Sequence, residues 1–245
     1  MKKLAVVVAL AMVPVGMAIA SGIAMFHPGT GGHSVLPSGR DVCWSEPPDL
    51  NGLIGTSEQI LIYGLESEIA NDFRVAYDTS VSVARFWGGY WNNDVACVSG
   101  MTYNCHNLRF YEDADCIPAR LPNQPPQYAE YLGIPCDEGT MLHCQDGYYP
   151  VFDYQCCISV PVYAGYRYWF GAQMCDHPFP PQWGRLAAYP VTGCDTCFWS
   201  PYFGYPEWAV IIDVFGCLYD ASQEFECGVT ATKTTSWGAV KGLYR

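Results

Sequence analysis

Apolar and polar residues alternate along much of the chain with the two-residue period of a half-buried β-strand. The alternation is clearest where Phe73 and Val75 follow Asp72 and Arg74 in turn. No amphipathic helix of clear period stands out, so we predict an all-β fold, a single antiparallel β-sandwich of jelly-roll type with long loops. The predicted strands are residues 59–63, 68–75, 81–93, 107–113, 149–160, 166–174, 183–189 and 209–219, the last being the most apolar and predicted to be central.

The most aromatic of these segments, residues 81–93 (VSVARFWGGYWNN), is the one around which we expect the sheet to be organised. Val81 and Val83 point to one face of such a strand, and Ala84 and Phe86 point to the other. Both faces are therefore expected to be at least partly buried. The Gly-Gly pair that follows removes two side chains, which permits a β-bulge or the close approach of another backbone.

Composition supports the all-β prediction, because 24 Gly and 18 Pro residues are typical of short strands joined by tight turns. Residues 21–42, rich in Gly, Ser and Pro, are predicted to be a flexible leader. Residues 43–229 are predicted to form one β-sandwich domain, in which the Pro- and Cys-rich residues 114–149 form a long stapled loop. The remaining residues, 230–245, are a C-terminal tail with an apolar stripe of Trp237, Val240 and Leu243 that suits one or two turns of helix.

The first twenty residues have the features of a secretory signal peptide. Two lysines begin the chain, an apolar run extends from residue 4 to residue 18, and small residues at positions 18 and 20 precede Ser21. A membrane anchor is the alternative, but the run is short and is interrupted by Pro14 and Gly16. We therefore predict a secreted or cell-surface protein with no membrane span once residues 1–20 are removed.

The charge balance restricts the partners. Acidic residues outnumber basic ones by 24 to 12, which gives a formal net charge of −12. Such a balance argues against nucleic acid or an anionic membrane surface as a partner. It is compatible with calcium, with neutral sugars or simply with solubility.

Thirteen cysteines follow the predicted signal peptide. In an exported chain this density indicates a disulfide framework, and the odd number leaves one thiol free or paired between chains. The adjacent Cys156 and Cys157 would face opposite sides of a strand and so have different partners. The order of cysteines does not determine the pairing, but local spacing suggests three pairs: Cys97 with Cys105, Cys136 with Cys144, and Cys194 with Cys197.

Several segments together resemble a β-sandwich domain of uncharacterised exported bacterial proteins. They are ANDFRV, VARFWGGYWNN, NLRFYEDADCIP, FDYQCCISVPVYAGYRYWFGAQ, PQWGRLAA and WAVIIDVFG. The resemblance covers about residues 68–220 and rests on a Trp-Gly-Gly-Tyr strand, an Arg-Phe-Tyr-Glu-Asp strand and a Pro-x-Trp-Gly segment. It implies a sandwich fold but carries over no activity and no catalytic residue, and the Cys-rich residues 114–149 depart from the pattern.

Clustered aromatic residues are the first candidates for ligand binding. Sugar-binding sandwiches stack pyranose rings on exposed Trp and Tyr faces, beside polar side chains that bond the hydroxyls. The alternative is that the rings pack the core and the ends of the sandwich, which is the usual role of Trp in β-proteins. The candidate ligand-binding residues are Trp87, Tyr90, Trp91, Asn92, Trp183, Trp199, Tyr202 and Trp208.

Acidic residues give weaker candidates for a metal site or for catalysis. Glu112, Asp113 and Asp115 offer carboxylates of the kind that Ca²⁺ prefers, and surface solvation is the alternative. No other cofactor is predicted. A glycosidase needs two carboxylates across a cleft, and no spacing singles out a pair. The spacing of Cys194 and Cys197 also matches a redox motif, but its flanking residues favour a structural ring.

Three functional hypotheses follow. The leading one is a non-catalytic structural or interaction protein of the cell surface that assembles with itself or with other surface proteins. The odd cysteine and the apolar stripe of the tail favour it. The alternative is a carbohydrate-binding module whose partner is a polysaccharide, and the third is a secreted glycoside hydrolase, so enzymatic activity stays open.

Overall fold

The fold is built almost entirely from strands. A computed structural model describes residues 23–25, 41–49, 53–91, 105–145, 148–177, 179, 181–188, 190, 192–215 and 220–228. Its strands are β1 Ile23–Met25, β2 Val42–Glu46, β3 Leu53–Thr56, β4 Gln59–Ile60, β5 Leu65–Glu66, β6 Glu68–Arg74, β7 Thr79–Trp91, β8 Cys105–Glu112, β9 Ala129–Pro135, β10 Asp137–Gln145, β11 Tyr148–Val162, β12 Arg167–Met174, β13 Gln182–Ala188, β14 Cys197–Ser200, β15 Tyr205–Val210, β16 Asp220–Ala221 and β17 Gln223–Gly228. One short helix, α1, covers Ile211–Phe215.

Two large sheets account for nearly all of these strands. The first runs in the order β1-β3-β13-β7-β11-β10 and also includes β2, β16 and β17, and the second runs β15-β14-β6-β12-β8-β9. Every strand pair in both is antiparallel. The predicted antiparallel all-β fold is confirmed, and its sandwich arrangement and jelly-roll connectivity stay predictions. Within the described residues no helix is long and apolar enough to cross a membrane.

The aromatic strand β7 occupies the middle of the first sheet. It pairs along one edge with β11, and along the other with β17 over its first half and β13 over its second. A Cβ atom added at Gly88 would lie 2.4 Å from Cζ2 of Trp183 and 2.6 Å from the carbonyl oxygen of Gly184. The glycine pair therefore permits the close approach of β13 that the sequence suggested.

Rings from both sheets share one core. Phe86 of β7 lies 6.0 Å from Phe170 of β12, and Phe225 of β17 lies 4.5 Å from Phe73 of β6, measured between ring centroids. All four rings are fully buried. Burial of aromatic side chains on this scale is the main stabilising contribution available to the fold.

Four predicted segments differ from the structure. Residues 209–219 were predicted to form a central strand, but the strand β15 ends at Val210 and α1 follows. In the predicted strand 59–63, only Gln59–Ile60 pairs before a 3₁₀ turn at Leu61–Tyr63. The predicted loop 114–149 contains β9 and β10, and the predicted leader contributes β1. The C-terminal tail lies outside the described residues.

Four disulfides join the described residues, and none follows the suggested local spacing. They are Cys43–Cys227, Cys105–Cys175, Cys116–Cys194 and Cys136–Cys156. Cys105, Cys136 and Cys194 therefore bond elsewhere, Cys197 carries no disulfide, and the side chains of Cys97 and Cys144 lie outside the description. The bridged cysteines are 20 to 184 residues apart along the chain, and their Cα atoms lie 4.6 to 5.7 Å apart, so the pairing follows the tertiary structure and not the local spacing.

Candidate functional site

Four of the aromatic residues predicted to bind a ligand are buried. Trp87, Tyr90, Trp183 and Trp199 are each at most 1% exposed. Two of the indoles also bond inside the protein, since Trp183 Nε1 donates to the Tyr154 hydroxyl at 3.2 Å and Trp199 Nε1 donates to the Pro206 carbonyl at 3.0 Å. These rings pack the interior and have no free face on which a sugar could stack.

The other predicted aromatic residues are not brought into one row. Tyr202 is exposed. Trp208 is half-buried, packs edge-to-face on Tyr111 at 5.6 Å and donates from Nε1 to the Arg120 carbonyl at 2.7 Å. The side chain of Trp91 and the whole of Asn92 lie outside the described residues.

A different set of aromatic residues lines an open groove of about 910 Å³ at one end of the second sheet. The turn between β11 and β12 provides Tyr163 and Tyr166, which are 48% and 65% exposed. Tyr128 and Tyr168 lie deeper, with ring centroids 5.1 Å apart. The lining is completed by charged residues and the turn backbone: Arg74, Asp78, Glu112, Asp113, Ala164, Gly165 and Arg167. We call this surface the tyrosine groove.

Hydrogen bonds hold the tyrosines of the groove in place. The Tyr128 hydroxyl donates to the Pro161 carbonyl at 2.6 Å, and the Tyr163 amide donates to the Tyr168 hydroxyl at 3.1 Å. Asp78 accepts the amide of Ala164 at 2.9 Å, which fixes the turn. Partial burial, together with the bond network around Tyr168, raises the pKa of the Tyr128 hydroxyl well above its ordinary value, so it remains a hydrogen-bond donor at neutral pH.

Two of the three acidic residues predicted to bind calcium, Glu112 and Asp113, line the tyrosine groove. Asp113 accepts the indole N–H of Trp169 at 2.8 Å, and its other oxygen lies 3.8 Å from Arg167. Glu112 lines the groove with it. Asp115 is exposed in the following turn and does not line the groove. In the part of the chain that the structure describes, no three His, Cys, Asp or Glu side chains are grouped to hold a metal ion.

A smaller pocket of about 280 Å³ continues the groove beyond Glu112 and Tyr128, which line both. Tyr111 forms part of its wall, together with Arg120 and Gln127. The two pockets therefore offer tyrosine rings, carboxylates and guanidinium groups along one continuous surface.

Beneath this pocket a buried polar network positions Tyr111. Glu68 of β6 accepts hydrogen bonds from the Tyr111 hydroxyl and from Arg109. Arg109 also donates from Nε to Glu130 at 3.0 Å. Burial raises the pKa of Glu68, and the neighbouring Arg109 opposes that rise. Each charged group has a partner, so the network is a support for the site and offers no free group for catalysis.

Of the residues that line the groove, the sequence analysis singled out Glu112 and Asp113, as calcium candidates, but none of the tyrosines, although one signal was available. The segment Tyr163-Ala-Gly-Tyr166 places two tyrosines on either side of a glycine turn between two apolar strands. Gly165 has φ of 83°, as such a turn requires. Tyrosines at a turn cannot alternate into the core, so their exposure could have been expected.

The chain was also compared with known proteins. No protein-family model matches it, and neither a curated protein nor a solved structure matches it significantly.

Proposed function

We propose that this is an exported, disulfide-stabilised binding protein that holds a segment of neutral polysaccharide in the tyrosine groove. The observation that carries the proposal is the pair of exposed rings, Tyr163 and Tyr166, beside the charged groups of an open groove. We also propose, as part of the same proposal, that the chain is related to the exported bacterial sandwich domains that its sequence resembles.

The chemistry of the groove suits a sugar. The C–H face of a pyranose is apolar and stacks on an aromatic ring, while its hydroxyls need donors and acceptors at the edge of that ring. Arg74, Asp78 and Glu112 line the groove and supply such groups. The net charge of −12 favours a neutral sugar over an anionic one.

The disulfides support export. Four bridges in one chain are characteristic of proteins that fold in an oxidising space. The signal-like residues 1–20 agree with that compartment.

Affinity electrophoresis and pull-down test the proposal. The oxidised protein is run through gels containing xylan, mixed-linkage β-glucan or the anionic control pectin, and is mixed with insoluble cellulose and chitin. We expect retention by at least one neutral polymer. Tyr166→Ala is expected to weaken binding about tenfold. Removal of the ring loses roughly 1.4 kcal/mol of stacking, which corresponds to a tenfold change in Kd.

Tyr202→Ala is the matched control, because Tyr202 is an exposed tyrosine that does not line the groove. It should bind like the wild type. Retention by pectin alone, or equal binding by the Tyr166 and Tyr202 variants, would contradict the proposal.

A second candidate function is protein–protein interaction, and one surface favours it. The 3₁₀ turn exposes Leu61, Ile62 and Tyr63, and Ile62 is 76% exposed. Tyr63 packs edge-to-face on the exposed Phe179 at 5.6 Å. Contiguous exposed apolar side chains are characteristic of contact surfaces. If copies assemble through this turn, Ile62→Asp should lower the mass measured by light scattering, whereas Tyr166→Ala should not.

A further inference from the structure

The disulfide Cys116–Cys194 begins on a strained turn. The amide of Ala114 donates to the carbonyl of Ile117 at 2.8 Å, and the two residues between them, Asp115 and Cys116, have φ of 60° and 65°. Two consecutive positive φ angles define a hairpin turn that favours Asn-Gly. Asp is tolerated at the first position, but a Cys at the second has a Cβ atom that this backbone conformation disfavours.

A guanidinium group lies against the sulfur at this turn. Arg167 Nη1 lies 2.6 Å from Cys116 Sγ. Two carboxylates hold the guanidinium group there, since Arg167 Nε is 3.2 Å from Asp72 and Nη1 is 3.8 Å from Asp113. A neighbouring cation stabilises a thiolate and so makes a sulfur a better leaving group.

A free thiol lies beside the same disulfide. Cys197 is buried and carries no disulfide. Its sulfur is 4.0 Å from the carbonyl oxygen of Cys116, and it packs in one cluster with Cys194. The chain therefore brings together three groups: a disulfide, a third sulfur three residues beyond Cys194, and a cation beside Cys116.

We propose that Cys116–Cys194 is an exchangeable disulfide and that Cys197 is the internal thiol that opens it. The Cys197 sulfur attacks Sγ of Cys194, a Cys194–Cys197 bond forms, and the Cys116–Cys194 bond breaks. Both electrons of the broken bond leave with Cys116 as a thiolate beside Arg167. The proton lost from Cys197 passes to solvent or to Cys116, so one disulfide is exchanged for another and no oxidant or reductant is consumed.

The surroundings of Cys197 keep the exchange slow at neutral pH. Burial raises the pKa of its thiol well above the ordinary value, and the nearby carboxylates of Asp72, Asp195 and Asp113 add to the rise. Arg167 faces the same group of acids from β12. Because the thiolate is the nucleophile, the rate should increase with pH.

The proposed exchange would place a reactive Cys116 thiolate beside the tyrosine groove. Cys116 is exposed, and Arg167 lines the groove. Exchange would therefore create an accessible thiolate, paired with a guanidinium group, at the groove wall. Such a sulfur reacts with alkylating reagents and with the disulfide of a partner protein.

Disulfide mapping by mass spectrometry tests this proposal on the full oxidised chain. The protein is incubated without reductant at pH 7 and pH 9, the free thiols are trapped with iodoacetamide, and the protein is digested under non-reducing conditions. We expect a Cys194–Cys197 peptide and alkylated Cys116 to accumulate together at the same rate, and faster at pH 9. Arg167→Gln should slow both about tenfold by removing the cation from the leaving sulfur.

Two cysteine variants separate this route from others. Cys197→Ala should abolish Cys116 alkylation, whereas Cys157→Ser, which removes the exposed free thiol of the described residues, should leave it unchanged. If Cys116 reacts as fast in the Cys197 variant, or if loss of Cys157 stops the reaction, another thiol opens the disulfide and the proposal fails. It also fails if only Cys116–Cys194 is found after incubation of the wild type at both pH values.

Discussion

At the scale of single residues, the absence of one side chain makes room for the buried charge of Glu68. A Cβ atom added at Gly171 would lie 1.9 Å from Glu68 Oε1. Gly171 of β12 pairs with Ala70 on one side and with Arg109 on the other. The Glu68 carboxylate therefore lies over β12 at a position from which no side chain projects. A glycine in the middle of a strand is therefore explained by the carboxylate that it accommodates.

Gly171→Ala is expected to destabilise the protein strongly. The new methyl group would push the Glu68 carboxylate away from Arg109 and Tyr111, and a displaced buried charge costs about 3 kcal/mol or more. The free energy of unfolding in urea measures the loss. Gly228→Ala is the control, because a Cβ atom there meets no atom within 4 Å. Equal stability of the two variants would show that the Glu68 carboxylate is not confined as described.

Buried carboxyl groups form a second polar cluster at the residue scale. Glu46 accepts amide N–H bonds from Asn71 and Gln223, each at 2.8 Å, and the Thr192 hydroxyl at 2.7 Å. Burial raises the pKa of Glu46 to about 7 and that of Asp220 also to about 7. The nearby Asp72 contributes to both increases by charge repulsion.

This cluster predicts that the protein is more stable in mild acid than at alkaline pH. Each carboxyl group has a native pKa above its unfolded value, so between the two values the native state binds more protons. The free energy of unfolding should therefore fall as pH rises from about 4.5 to about 7, by roughly 3 kcal/mol for each of the two groups. Thermal unfolding from pH 4.5 to pH 8 measures it. Glu46→Gln should flatten the profile, and a wild-type profile that rises through this range would contradict the assignment.

At the scale of elements, residue patterns predicted the strands that cross the core. The alternation around Phe73 and the aromatic run through Phe86 correspond to β6 and β7 within about two residues. The segment 209–219 was mispredicted because its apolar run continues past Val210, while the backbone turns into α1 there. An apolar run does not distinguish a buried strand from a buried helical turn.

Disulfides join strands whose proximity in the fold could not be predicted from the sequence. Cys43–Cys227 links β2 to β17 across 184 residues, and Cys136–Cys156 links the β9–β10 junction to β11 across 20. Spacing along the chain could not indicate the first, because the pairing depends on the order of strands in the sheet.

Removing the long-range bridge should cost more than removing the short one. The chain-entropy model gives about 5 kcal/mol for a loop of the longer kind and about 3 kcal/mol for the shorter. The double variants Cys43→Ala with Cys227→Ala, and Cys136→Ala with Cys156→Ala, can be compared by denaturant unfolding. A larger loss of stability for the Cys136–Cys156 variant would contradict the explanation that Cys43–Cys227 stabilises the protein by restricting the unfolded chain.

At the scale of the whole molecule, the tyrosine groove is assembled from distant parts of the chain. Arg74 ends β6, Glu112 ends β8, Tyr128 precedes β9, and Tyr166 belongs to the turn before β12. Among the residues that the structure describes, none of the aromatic residues predicted to bind a ligand lines the groove. Aromatic composition did not distinguish Trp183, which is buried, from Tyr166, which is exposed. That distinction depends on which face of each sheet is covered, and it requires the fold.

The position of β7 has a consequence for the order of events during synthesis. Phe86 pairs with Gln223 and Ser80 with Gly228, so one edge of the most aromatic strand obtains its partner from the last described strand. The second half of that edge pairs with β13, but residues 80–86 have no backbone partner on it until residue 228 has left the ribosome. Pairings so distant along the chain form slowly. Completion of the first sheet must therefore follow synthesis of β17, and until then the nascent chain carries an unprotected strand edge that neighbouring chains can bind.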